Sequence, residues 1–251
     1  MTYADLTFRD PNPVKRYLQR SRLTHAVGMV RGLPAPGVVL DFGAGNGELC
    51  KHLRAAFPDA RILCYEPAPR LLAQAQDNLR DTPGVEIVPH LDDIDQAGVD
   101  LVFALEVFEH LPPPETAAAL ASIAGVMSAD GRLIVGVPVE VGVPALYKGV
   151  FRMMRRYGEF DATLANVLAC TLGRPPLARP RSEIAAGLHY HPHHAGFDHR
   201  RFRAVLSGSF EVEAVTATPW PVLGTGLNPE VYFRARRHRA GLSSKAPTGP
   251  S

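Results

Sequence analysis

Short apolar runs rich in β-branched residues alternate with stretches of helical period through the first half of the chain. No other feature constrains the fold as much. The runs are "GVVLDF" at 37–42, "ARILCYE" at 60–66, "VEIV" at 85–88, "DLVFAL" at 100–105 and "GRLIVGV" at 131–137. Between them the spacing predicts helices over 47–57, 69–80 and 115–127. Strands that alternate with helices in this way form a parallel sheet covered on both faces. Pro138 and Pro144 break the pattern, and 143–173 becomes a Met-, Leu- and Arg-rich stretch of helical period. The sheet pattern resumes with a helix over 198–206 and strands over 210–218 and 230–237. Residues 139–197 therefore read as an insertion between the fifth and sixth strands.

The 251 residues fit one large α/β domain or a domain carrying a sizeable insertion, and 46% hydrophobic content is enough for a true core. A net charge of +2 argues against a protein built to coat nucleic acid. Basic residues nevertheless cluster: Arg9, Lys15, Arg16, Arg20, Arg22 and Arg31 near the start, Lys148, Arg152, Arg155 and Arg156 in the middle, Arg234, Arg236, Arg237 and Arg239 near the end. These clusters read either as solvated faces or as contacts to phosphate or an anionic membrane surface. Cys50, Cys64 and Cys170 are widely spaced and suit neither a disulfide framework nor a zinc site. The opening residues lack the apolar core of a secretory signal, and no stretch is apolar enough to span a bilayer. The expected location is the cytoplasm, with the inner membrane surface open if the basic stretch meets lipid. Residues 1–36 read as an N-terminal helical cap, and 240–251, small, polar and Pro/Gly-rich, as a disordered tail.

"VVLDFGAGNGEL" is a strand, an acid at Asp41, then Gly43, Gly45 and Gly47 opening a helix. Glycines let the backbone turn sharply and admit a ligand against the helix N-terminus. A dinucleotide-binding loop is the first rival, but its fingerprint is G-x-G-x-x-G, whereas this loop reads G-x-G-x-G with an acid two residues ahead. Such an acid suits a ligand with a positive group near the turn. Glu66 ends the second strand, where a carboxylate can accept both hydroxyls of a ribose.

"LDFGAGNGEL", "CYEP" and "DLVFALEVFEHL", in that order and spacing, resemble the class I S-adenosylmethionine-dependent methyltransferases. The resemblance covers 37–138 strongly and 198–237 through one helix and two strands. It implies an α/β fold with a Rossmann-like seven-stranded sheet, helices on both faces, an antiparallel last strand and a helical lid inserted between strands five and six. It implies S-adenosylmethionine as cofactor. By position, Asp41, Gly43, Ala44 and Gly45 would line its methionine and ribose, Glu66, followed by Pro67, would hold the ribose, and Leu105 would contact cofactor or acceptor. Asp92 or Asp93 would stand near the adenine amino group; His90 occupies the place where many members carry Gly-Asp, so both aspartates stay open.

The fourth strand ends in Glu106, with Glu109 and His110 expected one helical turn on, facing the same cleft. Methyl transfer to a hydroxyl requires alignment of donor and acceptor and removal of a proton. One reading makes His110 or a later histidine the general base, oriented by a carboxylate. Another takes Glu106-Val-Phe-Glu109-His110 as half a site for Mg²⁺ or Mn²⁺; similar spacing occurs in ubiquinone-type catechol O-methyltransferases and in enzymes that 2′-O-methylate small-RNA ends. The third is that Glu109 and His110 only cap a helix. Downstream, "HYHPHHAGFDHRRF" places His189, His191, His193, His194 and His199 before the helix that leads into strand six, without a reliable zinc spacing. "HHAGFDHRRF" with "LNPEVYF" resembles a subgroup of bacterial class I methyltransferases of polysaccharide and other cell-surface pathways. By that resemblance His194 would enter the active site as base or metal ligand.

No Asp/Asn-Pro-Pro-Tyr/Phe follows strand four, which argues against exocyclic base methylation, and Cys170 in an apolar stretch reads as core rather than nucleophile. Oxygen is the expected acceptor atom, on a small molecule, a sugar or a lipid-linked glycan. The alternatives are a metal-assisted RNA 2′-O-methyltransferase and a noncatalytic S-adenosylmethionine-binding subunit. Leu146, Val150, Phe151, Met153 and Met154 with Lys148, Arg152, Arg155 and Arg156 form an amphipathic stretch. It would either cradle a lipid-linked or phosphorylated substrate at a membrane or pack its Met/Phe side onto the domain. Oligomeric state is not addressed by these patterns.

Overall fold

The computed structural model describes residues 13–95 and 97–238, with side chains from residue 21 onward. Arg9, Arg239 and the expected disordered tail lie outside the described residues, as do the side chains of Lys15, Arg16 and Arg20. The chain begins with α1 (Pro13–Gly28). It then alternates β1 (Val38–Phe42), α2 (Glu48–Ala56), β2 (Arg61–Tyr65), α3 (Pro69–Leu79), β3 (Val85–Val88), β4 (Val99–Leu105), α4 (Pro113–Val126) and β5 (Met127–Pro138). The insertion carries α5 (Val143–Arg156), α6 (Leu164–Thr171) and a hairpin of β6 (Ser182–Ala185) and β7 (Leu188–Tyr190). Then follow α7 (His199–Ser209), β8 (Phe210–Thr218), the short α8 (Gly224–Leu227) and β9 (Glu230–Arg237).

Seven strands form one sheet in the order β3-β2-β1-β4-β5-β9-β8. β1 to β5 are parallel, and β9 runs antiparallel to both β5 and β8. This is the expected Rossmann-like sheet with its antiparallel last strand. Buried side chains alternate across it. Leu40, Val102, Val135 and Phe233 face the layer of α4 and α7, while Val39, Ile62, Phe103 and Tyr232 face α1, α2 and α3. Two boundaries differ from the sequence pattern. β5 starts at Met127, because Met127 pairs with Val99 before a register shift brings Arg132 opposite Leu101. The β6–β7 hairpin has no clear alternation to announce it; its turn is made at Gly187, whose φ of 77° suits glycine.

α5 corrects the reading that packs the Met/Phe side of the amphipathic stretch onto the domain. Its inward face carries Ala145, Gly149, Lys148 and Arg152, and the two cations reach Glu140, which lies just past β5. Arg156 pairs with Glu159 and Asp161, and Arg155 lies over the Phe151 ring. Val143, Leu146, Tyr147, Val150, Phe151 and Met154 are exposed instead, and Met153 is half-buried. The cations seat the helix and the apolar side faces out. No described helix is long and apolar enough to cross a membrane.

Candidate active site

The C-terminal ends of β1, β2, β4 and β5 share one edge of the sheet, where open α/β folds receive ligands. After Phe42 the chain passes through Gly43, Gly45 and Gly47, all at left-handed φ (72°, 58° and 77°). A Cβ at Gly43 would lie 2.7 Å from Val107 Cγ2, so the loop runs tight against the segment after β4. Gly45 has nothing within 4 Å of that position, which leaves space over the sheet edge. The Gly43 and Ala44 amides donate to the Tyr65 carbonyl, and Glu66 accepts from Gly45 N–H and Ala68 N–H, each at 2.8 Å. Burial raises the Glu66 pKa, and the two amide bonds pull it back.

Asp41 is buried beneath this loop, and its Oδ2 accepts the Cys50 thiol at 3.3 Å. Burial pushes its pKa from 3.8 to about 7 against the Cys50 bond, and Glu66 adds to the rise. Pro67 is exposed, and Leu105 is half-buried. Asp92 and Asp93 are both exposed on a one-turn 3₁₀ segment after β3. Burial raises the Tyr65 phenol, with Glu66 and Asp92 adding to it, so Asp92 is the aspartate whose charge reaches the end of β2.

Glu106, the residue after β4, has φ 57°. This backbone costs a residue with a Cβ on the order of 1 kcal/mol and has to be held by its surroundings. Its amide donates to Gly136 O at 2.9 Å, and its carboxylate lies 3.5 Å from Arg22 Nη1 of α1. Arg22 also binds Glu230 on β9, and Tyr232 Oη donates to the Arg22 carbonyl. Residues 106–111 are turns, with His110 N–H on Val107 O and Leu111 N–H on Phe108 O. The expected helical turn is thus absent, because Pro112 and Pro113 delay the helix, and the tight turn aims the side chains instead.

Glu109 is fully buried, and neither of its carboxylate oxygens has a hydrogen-bond partner. Burial, and then the charge of Glu106, push its pKa well above the usual range. His110 Nδ1 lies 2.8 Å from the His191 carbonyl, and the His191 amide donates back to His110 O. A bond to a carbonyl requires the proton on Nδ1, so Nε2 of the neutral ring carries the lone pair. That Nε2 is 3.9 Å from Glu109 Oε1 and 3.2 Å from His194 Nε2. His194 Nδ1 in turn lies 3.9 Å from Glu140 Oε1. Arg179 clamps the two segments from behind, donating to the carbonyls of Glu109, His193 and Ala195.

Residues 40–133 match the family model for a methyltransferase domain. A trans-aconitate 2-methyltransferase of Methylobacterium nodulans is 31% identical over 152 residues, 58% of this chain and 54% of that protein. A malonyl-[acyl-carrier protein] O-methyltransferase of Anoxybacillus flavithermus is 29% identical over 116 residues, 46% of this chain and 44% of that protein. The chain thus spans about half the length of these curated relatives. The crystal structure of the PH0226 protein from Pyrococcus horikoshii superimposes with a TM-score of 0.58 over 94% of this chain and 96% of that one, at 10% identity, a likeness of fold alone. The matched domain and these relatives make the chain similar to the class I S-adenosylmethionine-dependent methyltransferases.

In this methyltransferase fold Glu106, Glu109, His110 and His194 meet at one mouth, while Asp41, Gly43, Ala44, Gly45 and Glu66 lie along the adjoining sheet edge. The other histidines do not join them. His189 is exposed on β7, His191 Nδ1 bonds the Pro180 carbonyl, His193 lies 3.4 Å from Asp161, and His199 opens α7. Sequence reasoning missed Glu140. Burial would raise its pKa, but Lys148 and Arg152 more than offset this and hold it below the carboxylate range. The signal was there: like Asp41, Glu66 and Glu106, it is an acid at the C-terminal end of a strand.

Burial lowers the pKa of both His110 and His194, the latter well below 6.5. A histidine depressed in the fold is neutral there while its unfolded counterpart takes a proton, so stability is lost as pH falls below the unfolded value. Ring-proton NMR should show both imidazoles neutral at pH 6.5, with their titrations displaced to acid. A midpoint at or above 6.5 for His194 would contradict the geometry.

Proposed function

We propose that the chain transfers the methyl group of S-adenosylmethionine to a hydroxyl of a small molecule, a sugar or a lipid-linked glycan, in the cytoplasm. The observation that carries this reading is the neutral His110–His194 pair, with the His110 Nε2 lone pair 3.2 Å from His194 Nε2, beside the carboxylates at the end of β4. Bound S-adenosylmethionine supplies an electrophilic methyl at a sulfonium. Asp41, beneath the glycine loop, would lie toward its positive end, Glu66, whose oxygens each hold one amide and keep further lone pairs, would take the ribose hydroxyls, and Asp92 would read the adenine. His110 accepts the proton of the acceptor hydroxyl, and His194, steadied by Glu140, holds the ring pair in place. The O-methyl transfer for which the malonyl-[acyl-carrier protein] relative is named is consistent with an oxygen acceptor. The exposed apolar side of α5 supports contact with a lipid-linked acceptor or the inner membrane surface.

A second reading has its own observation. One oxygen of Glu109 and one ring nitrogen each of His110 and His194 lie within 4.8 Å of one another, and the Glu109 oxygens are buried without a donor. This donor set, two imidazoles and a carboxylate, suits Mn²⁺ better than the oxygen-preferring Mg²⁺, and such an ion would polarise the acceptor oxygen. Glu106 would stand beside these ligands.

Calorimetric titration of S-adenosylhomocysteine into EDTA-treated protein, repeated with Mg²⁺ or Mn²⁺ and compared with NAD, tests both readings. Product binding without metal is expected. A metal-linked heat would move Glu109, His110 and His194 from base to ligand roles, whereas NAD binding in place of the product would overturn the proposal.

A further inference from the structure

A second concavity, whose lining shares no residue with the mouth, lies between the start of α4, the face of α7 and residues 177–181. Its volume is about 560 Å³, within the range of small-molecule sites. Phe108, Leu111, Phe197, Phe202 and Val205 form an apolar wall, in which the Phe108 and Phe202 rings are 4.9 Å apart and those of Phe197 and Phe202 6.0 Å apart. Arg179, Arg181 and Arg201 supply the charge. The one carboxylate in the lining, Asp198, is occupied by Arg200, which binds it through its backbone N–H and its guanidinium at 2.8 to 2.9 Å. Arg201 stays 3.9 Å away from it. Arg179 and Arg181 form no ion pair among the described residues. Arg179 spends its donors on three backbone carbonyls, and burial lowers its pKa to about 10 against the weaker pull of Glu109 and Glu140.

An apolar wall facing three arginines, of which only Arg201 approaches a carboxylate, and that one already bound by Arg200, complements a ligand that is itself apolar with one anionic end. We propose that this cavity binds a small apolar carboxylate, its ring or branched chain against Phe108, Phe197 and Phe202 and its carboxylate toward Arg179, Arg181 and Arg201. The site is separate from the methyl-transfer mouth and does not depend on the reading of that mouth. The two communicate through backbone: Arg179 holds the Glu109 carbonyl, and His191, which lines the cavity, exchanges two hydrogen bonds with His110. Occupancy would therefore be felt at His110.

The probe is 2-naphthoate, titrated calorimetrically into the full chain saturated with S-adenosylhomocysteine, with neutral 2-naphthamide as control. Saturable one-to-one binding is expected, with the amide bound about fivefold more weakly for want of the charge. Val205→Trp fills the cavity from an exposed position of α7 and should weaken naphthoate about tenfold or more by steric exclusion. Arg181→Glu, on the rim, should weaken it about fivefold. The His110 ring protons should shift on addition of naphthoate to the parent chain, and S-adenosylhomocysteine affinity should be unchanged in both variants. Absence of saturable binding to the parent, equal affinity for acid and amide, or indifference to Val205→Trp would each overturn the assignment.

Discussion

Asp41→Asn should make the protein more stable at pH 8 while weakening its hold on S-adenosylmethionine. The Asp41 carboxyl is 2% exposed, and burial, the dominant cause, raises its pKa from 3.8 to about 7. In the native state it keeps its proton where the unfolded chain has lost it, so stability falls as pH rises from 3.8 to about 7, and the whole penalty is present above that. At about 1.4 kcal/mol for each pH unit, the rise amounts to about 4 kcal/mol. Asparagine can still accept the Cys50 thiol through its amide oxygen but carries no charge to desolvate. Denaturant titrations should therefore show a gain in midpoint that is large at pH 8 and small at pH 4. The ligand-binding effect has the opposite sign. A charge-assisted hydrogen bond is worth about 1.5–3 kcal/mol, so product affinity should fall roughly ten- to a hundredfold. A stability gain that is the same at both pH values would mean that Asp41 is ionised throughout, with its charge met by a group other than the ligand.

His110→Ala and His194→Ala should each reduce methyl transfer by about 10²–10⁴-fold, the usual contribution of a positioned acid or base. S-adenosylhomocysteine affinity should be unchanged, because the polar contacts of the two rings are with His191, Glu109, Glu140 and each other rather than with the Gly43–Gly47 loop. Transfer of labelled methyl groups to a panel of hydroxyl acceptors measures the first effect, and calorimetry the second. Added imidazole discriminates the roles: it can restore a missing base in His110→Ala, whereas a lost metal ligand would be answered by raised Mn²⁺. Unchanged transfer in both variants would remove the catalytic assignment and leave the fold untouched.

The parallel strands were legible because a strand buried on both faces is a continuous apolar run, and β1 through β4 have little else in them. The acids were legible for the complementary reason: Asp41, Glu66 and Glu106 interrupt or end such runs at one common edge. In the proposal Asp92 is preferred to Asp93 for the adenine only because its charge is felt at Tyr65, the end of the neighbouring strand. The meeting of His110 and His194 rests on the two-way backbone pairing of His110 with His191, across 81 positions, and no local periodicity encodes that. Helical spacing put Glu109 and His110 on the expected side for the wrong reason, since a turn does the aiming. For α5 the period separated two faces correctly, but it holds no information about which one meets the protein. Glu140 decided that, by supplying a buried charge that Lys148 and Arg152 must satisfy.

The way α5 is seated also sets the thermodynamics of moving it. Its inward face offers Ala145, Gly149 and the charged ends of Lys148 and Arg152, so lifting the helix would wet ions and little hydrocarbon. Exposure of apolar surface raises heat capacity, and exposure of polar surface lowers it. Opening at this helix should therefore carry a heat-capacity change near zero or negative, unlike global unfolding of the same chain. Its population would then follow a nearly straight van't Hoff line, while the sheet beneath it melts along a curved one.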